Sequence, residues 1–257
     1  MQPKVDAREL RSKVKQMYHD VATNPRGSFH FETGRALAER LGYAASDLDW
    51  VPAEALESFA GVGHFFHFAA LQAGEIVIDL GSGAGTDSFI AALKVGSNGR
   101  VLGIDMTPEQ LAKAERLRRR HDFRNLAYLD GYIEETGLEP DTADCVISNG
   151  VLNLAPDKAR VFAEAARLLR PGGRLAIADI VTVLQLPESI VCNADLWAAC
   201  IGGAAQFDRY LEAIERAGFA IRELQENREY RFLSDGAQDA AWHFGVKSMS
   251  ILAVKSG

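Results

Sequence analysis

Cysteine is scarce in this chain of 257 residues, and basic charge is not in excess. The three cysteines are Cys145, Cys192 and Cys200, and their spacing matches no zinc site. An odd, small number of cysteines is typical of reduced thiols, so the sequence predicts a cytoplasmic protein. We therefore expect no metal centre built from these residues.

Long apolar runs are also missing, and the charge balance is acidic. The formal net charge is −7, whereas a nucleic-acid-binding surface is normally basic. The basic run at Arg116–Arg120 lacks interleaved aromatic residues and is predicted to be the solvated end of a helix. No apolar run approaches the roughly 18 residues of a membrane span, and the N-terminus lacks a signal-peptide core. We expect neither nucleic acid nor a membrane as partner, and the oligomeric state stays open.

The segment Glu75–Asp87, EIVIDLGSGAGTD, combines a strand, a glycine-rich turn and a helix start. Its apolar run, Ile76–Leu80, is typical of a strand buried on both faces of a parallel sheet. Gly81, Gly83 and Gly85 then allow positive φ and close approach of a ligand to the main chain. The segment therefore predicts backbone N–H groups that point at a ligand above the turn.

A second strand, predicted over Arg100–Ile104, ends at an acidic residue. Asp105 lies twenty residues beyond Gly85, where a carboxylate can accept hydrogen bonds from both hydroxyls of a ribose. A dinucleotide site would require a third glycine where Thr86 stands. Asp79, inside the first strand, suits a ligand with an ammonium group better than a pyrophosphate. The unit therefore indicates an adenosine-containing ligand.

Four motifs follow one another between Glu75 and Ile180: VIDLGSGAGTD, VLGIDMTPEQLAKA, DCVISNGVLNLAPDK and RLLRPGGRLAIADI. This series resembles the class I S-adenosylmethionine (SAM) dependent methyltransferases. The resemblance implies an α/β fold with a Rossmann-like sheet, mostly parallel with an antiparallel last strand, and SAM as cofactor, converted to S-adenosylhomocysteine. Further details resemble the arsenite methyltransferase branch: GYIE at Gly131–Glu134, SNGVLNL at Ser148–Leu154, CIGGA at Cys200–Ala204, and the pattern over Leu41–Phe59.

The resemblance also implies a set of cofactor-binding residues, with apolar side chains against the adenine and Asn149 beside the sulfonium. The expected residues are Tyr18, Asp79, Gly81, Ser82, Gly83, Gly85, Asp87, Asp105, Met106, Gly131, Tyr132, Ile133 and Asn149.

The chain is predicted to divide into an N-terminal helical cap or substrate lid, residues 1–72, and a SAM-binding domain, residues 73–257. Residues 6–22 carry apolar side chains at helical spacing, including Leu10, Val14 and Tyr18. This helix either packs at the edge of the domain or lies across the cofactor pocket with Tyr18 against the cofactor.

The acceptor side is predicted from chemistry, because a sulfonium methyl group is already activated. Transfer by in-line displacement requires positioning and exclusion of water. A soft nucleophile needs little more, whereas an oxygen or carbon acceptor usually needs a general base. The candidates are Cys200 as a soft ligand and His64 and His67 as a base or ligands, with Phe29, His30 and Phe66 as further walls of the acceptor pocket. The alternatives are a buried inert thiol and aromatic packing of the histidines.

Most cysteines of the arsenite branch are missing at the positions that the resemblance assigns to them. Gly150 and the segment Gly61-Val62-Gly63 stand where cysteines are expected, and Cys145 is interpreted as a core residue of a strand. Three functions remain open: a small-molecule methyltransferase with a changed acceptor, an arsenite methyltransferase using Cys200 and an external thiol such as glutathione, and a non-catalytic SAM-binding protein.

Overall fold

The computed structural model describes residues 6–191, 197 and 201–256, and within them eight strands form one sheet. The strands are β1 (Ile76–Leu80), β2 (Arg100–Asp105), β3 (Leu126–Asp130), β4 (Ala143–Asn149), β5 (Leu169–Thr182), β6 (Ala205–Gln206), β7 (Phe219–Glu226) and β8 (Lys247–Lys255). Their order is β3-β2-β1-β4-β5-β8-β7, with the short β6 beside β5.

Strands β1 to β5 are parallel, and β8 runs antiparallel between β5 and β7. Ile177 of β5 faces Ile251 of β8, and Val254 of β8 faces Ala220 of β7. The expected Rossmann-like sheet with an antiparallel last strand is therefore confirmed.

Strand β5 begins earlier than the sequence predicts. The apolar run Leu175–Val181 predicts the strand, but in the structure Leu169 already pairs with Ala143. The register then shifts, and pairing resumes between Arg174 and Cys145. The intervening segment, Pro171-Gly172-Gly173, is therefore an irregular part of the strand.

The helices surround the sheet and include the predicted amphipathic N-terminal helix. They are α1 (Ala7–Thr23), α2 (Arg35–Arg40), α3 (Ala45–Leu48), α4 (Ala53–Glu57), α5 (Phe66–Ala69), α6 (Thr86–Val95), α7 (Pro108–Arg120), α8 (Lys158–Leu168), α9 (Glu188–Val191), α10 (Phe207–Arg216) and α11 (Asp235–Phe244), with a 3₁₀ turn at Leu152–Leu154. Helix α1 begins at Asp6, whose carboxylate accepts the N–H groups of Arg8 and Glu9. Every helix within the described residues is too short or too polar to span a lipid bilayer.

Apolar side chains cover both faces of the sheet, because neighbouring residues of a strand point in opposite directions. Val77 and Ile147 share one cluster with the cap and α6. Ile78 and Val146 share the other with α8 and α10. The N-terminal cap therefore packs on one sheet face, and the domain boundary after residue 72 stays a prediction.

Candidate functional site

A cavity opens at the carboxyl ends of β1, β2 and β4, under helix α1. The predicted cofactor residues that line it are Tyr18, Asp79, Gly81, Ser82, Gly83, Asp87, Asp105, Met106, Gly131, Tyr132, Ile133 and Asn149. Residues close together in the fold but distant in sequence therefore converge on one space, as expected at the carboxyl ends of parallel strands.

The glycine turn is fixed by neighbouring backbone and side chains. Gly81 has φ +78°, and its N–H donates to the carbonyl oxygen of Ile104 at 2.7 Å. A Cβ at Gly81 would lie 2.4 Å from the side chain of Val151. Only glycine fits this turn, which brings the main chain to the cavity.

Gly85 is the one predicted cofactor residue that does not line the cavity. It has φ +95° and caps the start of α6. A Cβ there would lie 2.0 Å from the hydroxyl oxygen of Tyr128. Its observed role is the packing of the turn on β3, and its contact with a cofactor stays a prediction.

Asp105 is held by backbone donors at the end of β2. Its carboxylate accepts N–H groups of Gly83 at 2.9 Å and Thr107 at 2.8 Å. Burial raises its pKa, while these hydrogen bonds lower it. Two backbone donors fix the carboxylate at the cavity wall, where it suits the hydroxyls of a ribose.

Two buried polar atoms of the cavity wall are without a hydrogen-bond partner in the described part of the chain. They are the hydroxyl oxygen of Ser82 and the amide oxygen of Gln110, whose amide nitrogen donates to the carbonyl of Tyr18 at 3.0 Å. Buried polar groups are normally paired, so these atoms fit a polar ligand such as the adenosyl part of SAM.

Two carboxylates, Asp79 and Asp87, lie buried side by side in the cavity wall. Burial and then the charge of Asp87 raise the pKa of Asp79 to about 8, although the hydroxyl of Ser88 donates to it at 2.5 Å. Burial raises the pKa of Asp87 to about 6. No basic side chain forms an ion pair with either carboxylate within the described ranges, so the wall favours a cationic ligand.

Tyr43 and Asn149 connect the cap to this acidic wall. The hydroxyl of Tyr43 donates to Oδ1 of Asp87 at 2.6 Å, and the amide nitrogen of Asn149 donates to Oδ2 at 3.1 Å. The amide oxygen of Asn149 accepts the N–H of Val62 at 2.8 Å. The motif signal identified Asn149, whereas the role of Tyr43 depends on a tertiary contact that no motif encodes.

Helix α1 lies across the cavity rather than only at the domain edge. Arg11, Val14 and Tyr18 belong to its wall. The guanidinium of Arg11 pairs with Glu134 at 3.1 Å and lies 4.5 Å from the ring centre of Tyr132. This supports the interpretation in which α1 covers the cofactor, and contact of Tyr18 with the cofactor stays a prediction.

His64 and His67 do not line the cavity. Their Nδ1 atoms lie 3.2 Å apart, and Nε2 of His67 lies 3.0 Å from the side-chain oxygen of Gln225 on β7. Ser250 of β8 donates to the carbonyl of His64, which holds this segment at the antiparallel side of the sheet. Burial lowers the pKa of His64 to about 4, and its ring packs on Tyr43 at 4.7 Å. The geometry corresponds to the aromatic-packing alternative and offers no base at the cavity.

Phe29, His30 and Phe66, which were predicted as acceptor walls, also do not line the cavity. The ring of Phe29 stacks on Phe31 at 5.6 Å, and that of His30 meets it edge-on at 4.6 Å. Phe66 is buried in the core beneath the ammonium of Lys94. These aromatic residues pack within the cap, and their assignment to the acceptor wall stays a prediction.

The cavity wall also contains residues that were not predicted: Phe59, Ala60, Gly61, Val151, Leu154, Ala155 and Pro156. Cys192 and Cys200 lie outside the described residues. Cys145 is buried in β4, where burial raises the pKa of its thiol to about 12, so it is a core residue. No cluster of three metal-ligating side chains occurs in the ranges that the structure describes.

Comparison with known proteins also indicates a methyltransferase. A protein-family profile described as a methyltransferase domain matches residues 71–231. The arsenite methyltransferase of Halobacterium salinarum is 37% identical over 249 residues, which are 91% of this chain and 63% of that protein. The human arsenite methyltransferase is 40% identical over 152 residues, 56% of this chain and 40% of that protein. The chain thus spans less than two thirds of the length of these relatives.

A solved structure shows a similar fold over most of the chain. It is an arsenic(III) S-adenosylmethionine methyltransferase from Chlamydomonas reinhardtii, 31% identical, with a TM-score of 0.66. The alignment covers 87% of this chain and 74% of that one. SAM is the cofactor of this family, and the glycine turn, Asp105 and the acidic pair are the residues that fit it. The domain match, the sheet order and the residues of the cavity together show that this chain belongs to the class I SAM-dependent methyltransferases and resembles their arsenite branch.

Proposed function

We propose that the protein transfers a methyl group from SAM to a small, soft nucleophile by in-line displacement, with thiols as the first acceptor class. The observation that carries the proposal is the buried pair Asp79 and Asp87, which no described basic side chain neutralises, at one end of a cavity suited to adenosine. Such a wall binds a cationic cofactor in preference to a neutral nucleoside.

The cofactor supplies an activated methyl group, and the chain positions the reacting groups and excludes water from them. Asp105 would hold the ribose hydroxyls, and the acidic pair would hold the ammonium group of the amino-acid part. Helix α1 and the segment around Phe59 cover the cavity and exclude water. Holding the two reacting atoms in line is the main source of acceleration for such a displacement.

The described cavity wall contains no histidine and no lysine. Its titratable side chains are Arg11, Tyr18, Asp79, Asp87, Asp105, Tyr132 and Glu134. Arg11 pairs with Glu134, and the aspartates are assigned to the cofactor, so the described wall offers no carboxylate or imidazole that is left to act as a general base for an acceptor. A thiol ionises in water near neutral pH and needs no such base.

Arsenite is the second candidate, favoured by the 37% identity to the Halobacterium salinarum enzyme. Two positions to which the resemblance assigns cysteines hold Val62 and Gly150. A Cβ at Gly150 would lie 3.0 Å from Cγ1 of Val62, and the φ of Gly150 is +72°. The two positions are neighbours and neither carries sulfur, so a thiolate pair for arsenic is lacking there.

The experiment measures conversion of SAM to S-adenosylhomocysteine with small alkyl thiols, with phenols, and with arsenite plus glutathione. We expect turnover with thiols that rises with pH as the acceptor ionises. Turnover with arsenite alone among these would replace the thiol proposal by the arsenite candidate. Binding of SAM without turnover on any acceptor would favour the non-catalytic function.

Substitution of Cys200 distinguishes the thiol proposal from the arsenite candidate. The arsenite candidate predicts that Cys200→Ser abolishes arsenic turnover, whereas thiol methylation needs no protein thiol and should persist. A matched control is Cys145→Ala, because Cys145 is buried away from the cavity. Loss of thiol turnover in Cys200→Ser, with the control active, would contradict the proposal.

A further inference from the structure

Tyr43 lies outside the cavity wall but reaches one of its carboxylates. It follows α2 in the cap and is only 4% exposed. Its ring packs edge-on against Phe59 at 5.2 Å and His64 at 4.7 Å. Its hydroxyl oxygen accepts the amide N–H of Asn149 at 2.9 Å, so the hydroxyl hydrogen is directed to Asp87 at 2.6 Å.

This contact acts on the carboxylate that faces the cofactor space. Oδ1 of Asp87 accepts from Tyr43, and Oδ2 accepts from Asn149. Hydrogen bonds to a carboxylate stabilise its ionised form, whereas burial and the neighbouring Asp79 oppose it. Tyr43 and Asn149 therefore hold a negative charge that the surroundings disfavour.

We propose that Tyr43 is a positioning residue of the cap that holds Asp87 as an oriented, ionised carboxylate for the cationic cofactor. The inference rests on SAM as the cofactor in the proposed function, but not on the identity of the acceptor. Through Tyr43, the cap therefore contributes to the affinity for the cofactor and does not only cover the cavity.

Several charged or titratable groups surround this contact. They are Asp79 on β1, Asp105 on β2, Tyr128 on β3, His64 against the ring of Tyr43, and Arg11 and Glu134 in the cavity wall. Because no described basic side chain forms an ion pair with Asp79 or Asp87, a bound proton compensates their charge when no cationic ligand is present. Binding of SAM then releases this proton, so SAM affinity rises with pH.

The test measures SAM binding to the full chain by isothermal titration calorimetry, without any acceptor, across the pH range that spans the pKa values of Asp87, about 6, and Asp79, about 8. In Tyr43→Phe the ring and its packing remain, but Asp87 loses one donor. We expect SAM binding to weaken about tenfold to a hundredfold near neutral pH, the range for hydrogen bonds to charged groups. The midpoint of the pH profile should move to higher pH.

Tyr210→Phe is a matched control. Tyr210 is also buried, and its hydroxyl also donates to a buried aspartate, Asp179, at 2.6 Å, but neither residue lines the cavity. This variant should keep the affinity for SAM and its pH profile. Equal weakening in both variants, or an unchanged pH profile in Tyr43→Phe, would overturn the proposal.

A second variant tests the donor without removing it. Site-specific 3,5-difluorotyrosine at position 43 is a stronger hydrogen-bond donor, so the pH midpoint of SAM binding should move to lower pH. A shift in the other direction, or none, overturns the proposal even if Tyr43→Phe does not fold. A wild-type chain that binds no SAM would overturn it together with the cofactor assignment, whereas intact binding without methyl transfer would count only against the proposed function.

Discussion

Two buried tyrosine–aspartate pairs in this molecule differ in one respect. Tyr43 donates to Asp87 and Tyr210 donates to Asp179, both at 2.6 Å. The ammonium of Lys158 lies close enough to Asp179 to lower its pKa, whereas Asp87 has a second carboxylate, Asp79, as neighbour.

The difference distinguishes a buried charge that is compensated within the fold, at Asp179, from one that is available to a ligand, at Asp87. Burial raises the pKa of Asp179 to about 6 and lowers that of Lys158 to about 8, but the pair supplies charges of opposite sign. Lys158 also donates to the carbonyls of Asn153 and Ala155, which hold the 3₁₀ turn after β4. The Asp179 region therefore has a cation and a hydrogen-bond donor within the chain, whereas we propose that a cationic ligand completes the Asp87 region.

The largest expected effect comes from removing the cation near Asp179, because this buried aspartate would then lack a basic neighbour among the described residues, as Asp87 does. Lys158→Met removes the cation near Asp179 and leaves a buried carboxylate without compensation. We expect a loss of about 3 kcal/mol in the free energy of unfolding, measured by urea denaturation. Lys94→Met is the control, because its ion pair with Asp47 is partly exposed and should contribute less than about 1 kcal/mol. Equal losses would mean that Asp179 needs no cation.

The next effect concerns Asp79. Asp79→Asn removes half of the acidic pair, and we expect SAM binding to weaken by about 2 kcal/mol, or roughly thirtyfold. The ligand-free protein should not be destabilised, since a like-charge contact is relieved. Asp179→Asn should show the reverse pattern, with unchanged SAM affinity and lower stability. Calorimetry and thermal melting distinguish the two patterns.

The pH dependence of stability sharpens the comparison further. Asp79 and Asp87 both have pKa values above the unfolded value of about 3.9, so their protonated forms stabilise the fold at low pH. This stabilisation is lost as the pH rises through about 6 for Asp87 and about 8 for Asp79.

The ligand-free protein should therefore lose about 1 kcal/mol per pH unit across that window, relative to Asp79→Asn, in urea denaturation. Saturating SAM should remove this slope. A wild-type slope equal to that of the variant would show that Asp79 is already ionised without ligand.

The smallest effect is expected at Arg11, which lines the same cavity. Its guanidinium pairs with Glu134 and stacks on Tyr132, and it forms no ion pair with the acidic wall. Arg11→Met should change SAM affinity by less than about threefold, as for a partly exposed ion pair. A large gain in affinity would instead identify Arg11 as the counter-ion of Asp79 and Asp87.

The sequence predicts those parts of the site that one strand and its following turn define. Asp79, Asp105 and the turn glycines lie where the motifs place them, because a strand end and its turn fix their own side chains. Gly85 was assigned to the ligand because spacing cannot distinguish a glycine that faces a cofactor from one that faces Tyr128.

The contacts of the cap residues could not be predicted from the sequence as well as the strand ends and their turns. The aromatic residues around His64 indicated a pocket, but their partners are on the antiparallel strands, far away in sequence. The pattern over Leu41–Phe59 includes Tyr43, but it does not reveal the role of that residue, because the partner Asp87 lies in the distant helix α6. Residues whose role depends on a tertiary contact therefore appear only when the chain is folded.

The position of β8 between β5 and β7 has a consequence for synthesis of the chain. While residues 183–246 are being made, β5 presents an open edge whose central residues, such as Ile177 and Val181, become fully buried only later. An open apolar edge is a site for pairing with other chains. The nascent protein is therefore exposed to aggregation until its last described strand leaves the ribosome and inserts, and pairing of such distant segments is a slow step.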